Sequence, residues 1–279
     1  MDARGRYRAR VNSSAPSGHV LAAFGATGLP VIEPGGQGRT WHVGDLILKP
    51  CDDPVEAAWT AEVMSTLVPS VRFRVAAPVA AGDGGWVVSG WQAWQAVTGQ
   101  PDVTRCAEVL EVADAFHQAI ARRPRPAFLD NRDDPWTYGD RVAWEELPIN
   151  GHGVMADLLQ RLARARHPVD LPAQPVHGDL LGNVLFAEDQ PPAVIDWPVY
   201  FRPALWPQAI AVVDALTWCG ARAEMVGARG DQPGWRQMLI RALIYRIATN
   251  EGCRRHGRLV RERAEDYQPV VDLVLSRSS

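Results

Sequence analysis

The stretch Val176-His177-Gly178-Asp179-Leu180-Leu181-Gly182-Asn183-Val184-Leu185-Phe186, followed by Ala193-Val194-Ile195-Asp196-Trp197, decides the reading of this chain. Val184-Leu185-Phe186 and Ala193-Val194-Ile195 read as two short buried strands, with Glu188-Asp189-Gln190-Pro191-Pro192 as the turn between them. Such a hairpin carries Asn183 where it begins and Asp196 where it ends, close in space, with Asp179 on the loop just before. Oxygen donors converging in this way suit Mg²⁺, which takes a few carboxylate or carboxamide oxygens and completes its shell with phosphate and water. A third acid nearby can orient a hydroxyl nucleophile. Phosphoryl transfer asks for little beyond such positioning and charge neutralisation.

Bulk properties set the frame. At 279 residues, 47% hydrophobic and 22% charged, the chain has the make-up of a soluble globular protein with one large or two medium cores. A formal net charge of −3 leaves no electrostatic footprint for nucleic acid or an anionic membrane. No apolar run reaches transmembrane length, and Arg4, Arg6, Arg8 and Arg10 lead into no signal-peptide core. Cys51, Cys106, Cys219 and Cys253 lie far apart without C-x-x-C spacing, so the cytoplasm is the expected compartment. Lys and Arg together number 29, yet Lys49 is the single lysine. A lysine retained against such an arginine bias points to a place where a compact ammonium works and a planar guanidinium does not.

Lys49 sits in a suggestive place. Val31-Ile32 reads as a strand, Pro34-Gly35-Gly36-Gln37-Gly38 as a glycine-rich turn, and Arg39 to Val43 as a second strand. Leu46-Ile47-Leu48-Lys49 follows as a third. Glycines let the backbone approach a phosphate closely and turn N–H groups toward it. No Walker A sequence occurs, which disfavours a P-loop enzyme. Asp53-Pro54-Val55-Glu56 starts a helix running to about Leu67, with Asp53 as N-cap and Pro54 in the first turn. Val71 to Pro78 and Gly85 to Ser89 are expected to continue the sheet, and Trp91 to Val97 to form a strand leaving it.

Taken together, these motifs resemble the aminoglycoside phosphotransferase family, small-molecule kinases of the protein-kinase-like superfamily. The family's catalytic loop reads His-Gly-Asp followed by Asn, and its metal-binding strand ends in Ile-Asp-Trp or similar. Both are present here in order, with Asn183 and Asp196 thirteen residues apart. The resemblance implies that Asp179 is the catalytic base and that Asn183 and Asp196 ligate the metal. It implies that Gly35, Gly36 and Gly38 cover the nucleotide phosphates and that Lys49 pairs with the α- and β-phosphates. A helix glutamate then orients Lys49: Glu62 by its distance along the chain, or Glu56, which already has work as a cap. Backbone groups near Gln95 to Val97 would meet the purine edge. One departure stands out. Asp179 to Asn183 is four steps, where the usual kinase loop has five, so the loop has to tighten at Gly182.

The second half supplies helices. Val103 to Ala121 shows helical periodicity and carries His117, read as packed or surface-lying. Residues 130–146, acid-rich with Trp136, Tyr138 and Trp144, are either a solvated loop or an insert that recognises a cationic or sugar-like acceptor. Met155 to Arg166 is an amphipathic helix. His177 is expected to fix the catalytic loop by hydrogen bonding. Asp214, on a helix from Gln208 to Trp218, is either the carboxylate that holds this loop or a satisfied core acid. Trp197 to Pro203 replaces the family's usual Gly-Asp-Pro-like segment, and this variant with the arginine bias resembles actinobacterial members. Helices at 234–252 and along Val270 to Leu275 close the chain.

The expected fold is therefore α+β and bilobal, protein-kinase-like, with a small β-rich N-lobe over residues 1–97 and a larger, mainly helical C-lobe over 98–279. The implied activity moves the γ-phosphate of ATP (or GTP), with Mg²⁺, to a hydroxyl of a small molecule. Two rivals keep the fold: a nucleotide-binding pseudokinase or regulatory protein, favoured by the shortened loop, and an enzyme transferring a nucleotidyl group to protein.

Overall fold

The computed structural model describes residues 14–33, 38–150, 153–260 and 262–276. The chain divides into two compact units, Asp2–Pro101 with Asn183–Trp197, and Asp102–Gly182 with Pro198–Ser279. The hairpin carrying Asn183 and Asp196 thus folds with the first hundred residues. The motif that opened the reading is split after Gly182.

In the first unit, helix α1 (Gly18–Ala23) starts at Ser17, whose hydroxyl caps Val20. Strands β1 (Val31–Ile32), β2 (Trp41–Val43) and β3 (Leu46–Pro50) follow, then helix α2 (Pro54–Ser65). Asp53 caps α2 by accepting from the amides of Val55 and Glu56. Next come β4 (Arg74–Val75), β5 (Pro78–Val79), β6 (Trp91–Gln95) and β7 (Gln100–Pro101). The order β1-β2-β3-β6-β5 forms a five-stranded sheet. One face covers a core of Val20, Phe24, Val43, Leu46, Leu48, Ala81 and Ala93. Strand alternation turns Leu46 and Leu48 into that core and Lys49 away from it.

Residues 85–89 do not continue the sheet. Their one strand-like feature is an isolated bridge between Val88 and Trp91. Left-handed backbone at Gly84, Ser89 and Gly90 folds this stretch into turns too tight for a strand. The 71–78 segment is divided as well: β5 edges the first sheet, whereas β4 joins a second.

The other unit begins with a 3₁₀ turn (Val103–Arg105) and helix α3 (Cys106–Ile120). Helices α4 (Phe128–Asn131), α5 (Pro135–Ala143) and α6 (Val154–Ala165) follow, then strand β8 (Ala173–His177). Residues 130–146 are therefore largely helix rather than a solvated loop. Asp134 caps α5 by accepting from the amides of Trp136 and Thr137.

The chain then re-enters the first unit as β9 (Val184–Ala187) and β10 (Gln190–Val194), in a second sheet ordered β4-β10-β9-β7. Val184 pairs with Val194 and Leu185 with Ala193, and a bulge follows Gln190. The turn is only Glu188-Asp189, with Asp189 at a φ of 54°. Pro191 and Pro192 lie inside β10 at the bulge, where the missing N–H groups break the ladder least.

Strand β11 (Val199–Pro203) returns to the helical unit, antiparallel to β8 from Val199↔His177 to Pro203↔Ala173. Helices α7 (Leu205–Trp218), α8 (Trp235–Arg255) and α9 (Ala264–Ser276) complete it. Buried on nearly every side, α8 is the axis against which α5, α6, α7 and α9 pack. Cys51, Cys106, Cys219 and Cys253 are free thiols. Among the described residues, no helix is long and apolar enough to cross a membrane.

Candidate active site

Strand β3 ends by placing Lys49 against the exit of the β9–β10 hairpin. The Lys49 Nζ donates to Asp196 Oδ1 at 2.5 Å and lies 5.7 Å from the centre of the Trp94 ring. Asp196 has a φ of 51°. This left-handed conformation is uncommon for a residue with a side chain, though Asp and Asn tolerate it best. It re-aims the carboxylate as the strand stops. Trp197, buried, is anchored on the Trp59 ring of α2 with centroids 5.5 Å apart. At the other end, Asn183 is buried and its carbonyl accepts from the Ile195 amide at 3.0 Å, so both hairpin ends are tied together.

The donors at this hairpin are a carboxylate and a carboxamide. That is the hard-oxygen chemistry of Mg²⁺, which leaves the rest of its shell to phosphate and water. Among the described residues, no group of three or more His, Cys, Asp or Glu converges as a metal site. The residues present fit the ion that the sequence implies.

Other expected nucleotide contacts lie in the same unit. Gly35 and Gly36 fall outside the described residues. Gly38, with a φ of 71°, precedes Arg39, which forms a double hydrogen bond with Asp52 at 2.6 and 2.9 Å. Glu62 is on α2, but its carboxylate accepts from the Trp86 indole at 3.3 Å rather than meeting Lys49. Glu56 is in the first turn of α2. At the sheet exit, Gln95 donates its amide to Ala77 and Ala96 donates to Asp45, both at 2.8 Å, and Val97 follows. Arg74 secures the next residue by donating to the Thr98 carbonyl at 2.6 Å and to the Pro191 carbonyl at 3.0 Å. Sequence reasoning missed Arg74, whose partners are mostly backbone oxygens that no motif encodes.

In the helical unit, Asp179 is held from three directions. Its amide donates to Nδ1 of the buried His177 at 3.1 Å, and the His177 amide donates to Nε2 of His117 at 3.1 Å. Both rings therefore act as acceptors for loop backbone, and each must be neutral to do so. Burial, reinforced by the neighbouring His177, lowers the His117 pKa to about 3. Behind Asp179, Gly178 lies against Tyr200: a Cβ there would stand 2.3 Å from the ring. Gly182 has a φ of 90°, the left-handed geometry that a tightened loop requires.

The third hold is ionic. Arg246 of α8 donates from Nη2 to Asp179 Oδ1 at 3.0 Å and from Nε to Asp214 Oδ1 at 2.8 Å, while Nη2 also bonds Asp214 Oδ2. Burial pushes the Asp214 carboxyl up to about 7, against the pull of Arg246. Burial opposes the Arg246 charge too, but the carboxylates and Tyr245 hold its pKa well above the ordinary guanidinium value. Sequence reasoning noted Asp214 and missed Arg246. The available signal was a charge inside the apolar run Leu243-Ile244-Tyr245-Arg246-Ile247-Ala248.

Most of the acids between 130 and 146 are already engaged. Asp130 pairs with Arg125 and Asp140 with Arg202, which also reaches Glu146; Glu145 faces Arg166 and Arg241. They form the unit's own ion pairs, so their presence does not argue for a cationic acceptor.

The sequence profile of the phosphotransferase enzyme family (APH) matches residues 29–199. No curated protein matches the chain by sequence. Solved structures resemble it across nearly the whole length. One is a thermostable mutant of aminoglycoside phosphotransferase APH(4)-Ia, in a ternary complex with AMP-PNP and hygromycin B. It is 15% identical, with a TM-score of 0.56 over 93% of this chain and 98% of that one. Choline kinase LicA from Streptococcus pneumoniae is 11% identical, with a TM-score of 0.58 over 92% and 96%. An aminoglycoside phosphotransferase from Alicyclobacillus acidocaldarius is 15% identical, with a TM-score of 0.55 over 96% of each chain. At these identities the likeness is one of fold: an α+β, kinase-like architecture with an N-terminal sheet and a helical C-terminal region.

Proposed function

Because the chain belongs to the APH phosphotransferase enzyme family, we propose that it moves the γ-phosphate of ATP (or GTP) to a hydroxyl of a small molecule. The observation that carries the reading is the Lys49–Asp196 contact at 2.5 Å. It joins the only lysine of the sequence to the acid that ends the metal-type hairpin. A core ion pair serving stability alone has little need of a strained Asp and a partly exposed ammonium. A site that holds a polyphosphate needs both charges within reach of solvent.

In this reading Lys49 pairs with phosphate oxygens, and Asn183 and Asp196 would hold Mg²⁺, which when bound neutralises charge on the transferring group. Asp179 accepts the proton of the acceptor hydroxyl and aligns its oxygen. Its amide bond to His177 and its tie to Arg246 keep the carboxylate in one orientation. In a loose transition state, alignment matters more than a raised basicity. The AMP-PNP and hygromycin B held by the APH(4)-Ia structure support the nucleotide and small-molecule parts of the proposal.

The test is mass spectrometry of products formed from isotopically labelled ATP and Mg²⁺ over a panel of aminoglycosides, peptide antibiotics, nucleosides and sugars. Phosphate transfer that Asp179→Ala abolishes, with nucleotide affinity nearly kept, is the expected result. Nucleotidyl transfer, or no transfer to any acceptor, would overturn it.

A further inference from the structure

Arg246 carries one step more. It stands in the middle of α8, 3% exposed, with its guanidinium carbon 5.1 Å from the centre of the Tyr245 ring and 5.8 Å from that of Trp218. Asp214, equally buried, takes two of its hydrogen bonds and, when ionised, balances the cation. A buried ion pair is complete at that point. The additional bond to Asp179 Oδ1 at 3.0 Å is therefore not needed to keep the charge inside the protein.

We infer that Arg246, paired with Asp214 as a nearly neutral clamp, is a positioning residue that fixes the carboxylate of Asp179 for the transfer reaction. The inference rests on the phosphotransferase reading above. Division of labour between the two acids follows from the charges. An arginine facing Asp179 alone would bring a full positive charge against it and weaken it as a proton acceptor. With Asp214 sharing the guanidinium, Asp179 gains a directional hydrogen bond while the positive charge it faces is offset by the second carboxylate. Because α8 is the packed axis of its unit, the donor cannot drift, and a misplacement of about 1 Å at such a group costs about a hundredfold in rate.

The experiment uses the full chain and needs no identified acceptor: inorganic phosphate release from ATP and Mg²⁺, with water as acceptor, measured alongside thermal unfolding. Arg246→Met should lower kcat about a hundredfold with the KM for ATP changed by less than about threefold. Arg246→Lys, which keeps charge but not the fork, should fall between. Arg246→Met can also unfold the protein by stranding Asp214, so the double variant Arg246→Met with Asp214→Leu is decisive. Apolar replacement of a buried pair restores stability, and the rate should stay low while the unfolding temperature recovers. A double variant with near wild-type kcat would make Arg246 purely structural and overturn the inference. Asp179→Asn separates the two levels. If wild type releases phosphate and Asp179→Asn does not, while Arg246→Met does so undiminished, this inference alone fails. If wild type passes phosphate neither to water nor to any member of the acceptor panel, it fails together with the reading it rests on.

Discussion

The amine of Lys49 and the carboxylate of Asp196 lie 2.5 Å apart although 147 residues separate them along the chain. The contact is built by two independent local rules. Alternation along β3 turns Lys49 away from the core that takes Leu48. A left-handed residue at the end of β10 swings Asp196 out of its strand. Neither rule involves the other, and the two residues meet because both elements fold into the same unit.

Lys49→Ala should lower phosphate transfer about a hundredfold or more, the scale of removing one charged donor from a transition state. Its thermal unfolding should change little, because Asp196 keeps enough solvent to stay hydrated. Lys49→Arg should not restore the rate, since a planar fork cannot replace a point charge here. Labelled-phosphate transfer and a thermal scan of the two variants check this. A large loss of stability would mean that the ion pair serves folding.

Two substitutions at Asp196 separate backbone from chemistry. Asp196→Asn tolerates the left-handed backbone and should keep the fold, while raising the Mg²⁺ concentration for half-maximal transfer at least tenfold. Asp196→Val has a branched side chain that this conformation excludes, and should cost about 1–3 kcal/mol of stability as well. Urea unfolding with a Mg²⁺ titration of activity distinguishes the two effects.

Much of this arrangement was legible because it is written locally. The β9–β10 hairpin, the N-cap at Asp53 and the strand bearing Lys49 each follow from patterns a few residues long. At residues 85–89 the reading failed for a local reason, the left-handed turns at Gly84, Ser89 and Gly90; elsewhere the cause was tertiary. Residues 130–146 look like a loop because their acids suggest solvent, yet Asp140 is matched by Arg202, sixty-two positions away. Arg246 and His117 hydrogen-bond to Asp179 and His177 from α8 and α3, and nothing in their own neighbourhoods names that target. The division of the motif after Gly182 was equally invisible, since covalent continuity through Asn183 hides which core each side joins.

The buried histidine makes a pH prediction. His117 is neutral in the fold, with its pKa lowered to about 3, whereas in the unfolded chain it titrates near 6.5. Between those values the unfolded state binds the extra proton. The contribution is thus fully present above about pH 6.5 and is lost as pH falls toward 3, at about 1.4 kcal/mol per pH unit. Asp214, raised to about 7, acts in the opposite sense over part of this window, so the comparison must isolate His117. Urea unfolding of wild type and His117→Gln at pH 7 and pH 5 does so. The variant should lose about 2 kcal/mol less on acidification; equal losses would refute the assignment of a neutral, buried ring.

Packing of α5 on α8 yields the last prediction. A Cβ at Gly139 would stand 2.3 Å from Thr249 Oγ1 and 2.6 Å from the Tyr245 carbonyl, and one at Gly252 would stand 2.5 Å from the Pro135 carbonyl. Glycines on both helices thus let the two backbones approach more closely than any other residue allows. Gly139→Ala ought to gain helix propensity, but the obstructing atoms include backbone that cannot rotate aside. Overpacking should win, for a net loss of about 1–3 kcal/mol. Because Tyr245 and Arg246 are adjacent on α8, the displacement should also reach Asp179 and lower the transfer rate, while Asp133→Ala on the exposed side should change neither. Denaturant midpoints and initial rates of the two variants decide it: a stabilised Gly139→Ala protein would show that the helices have room to part.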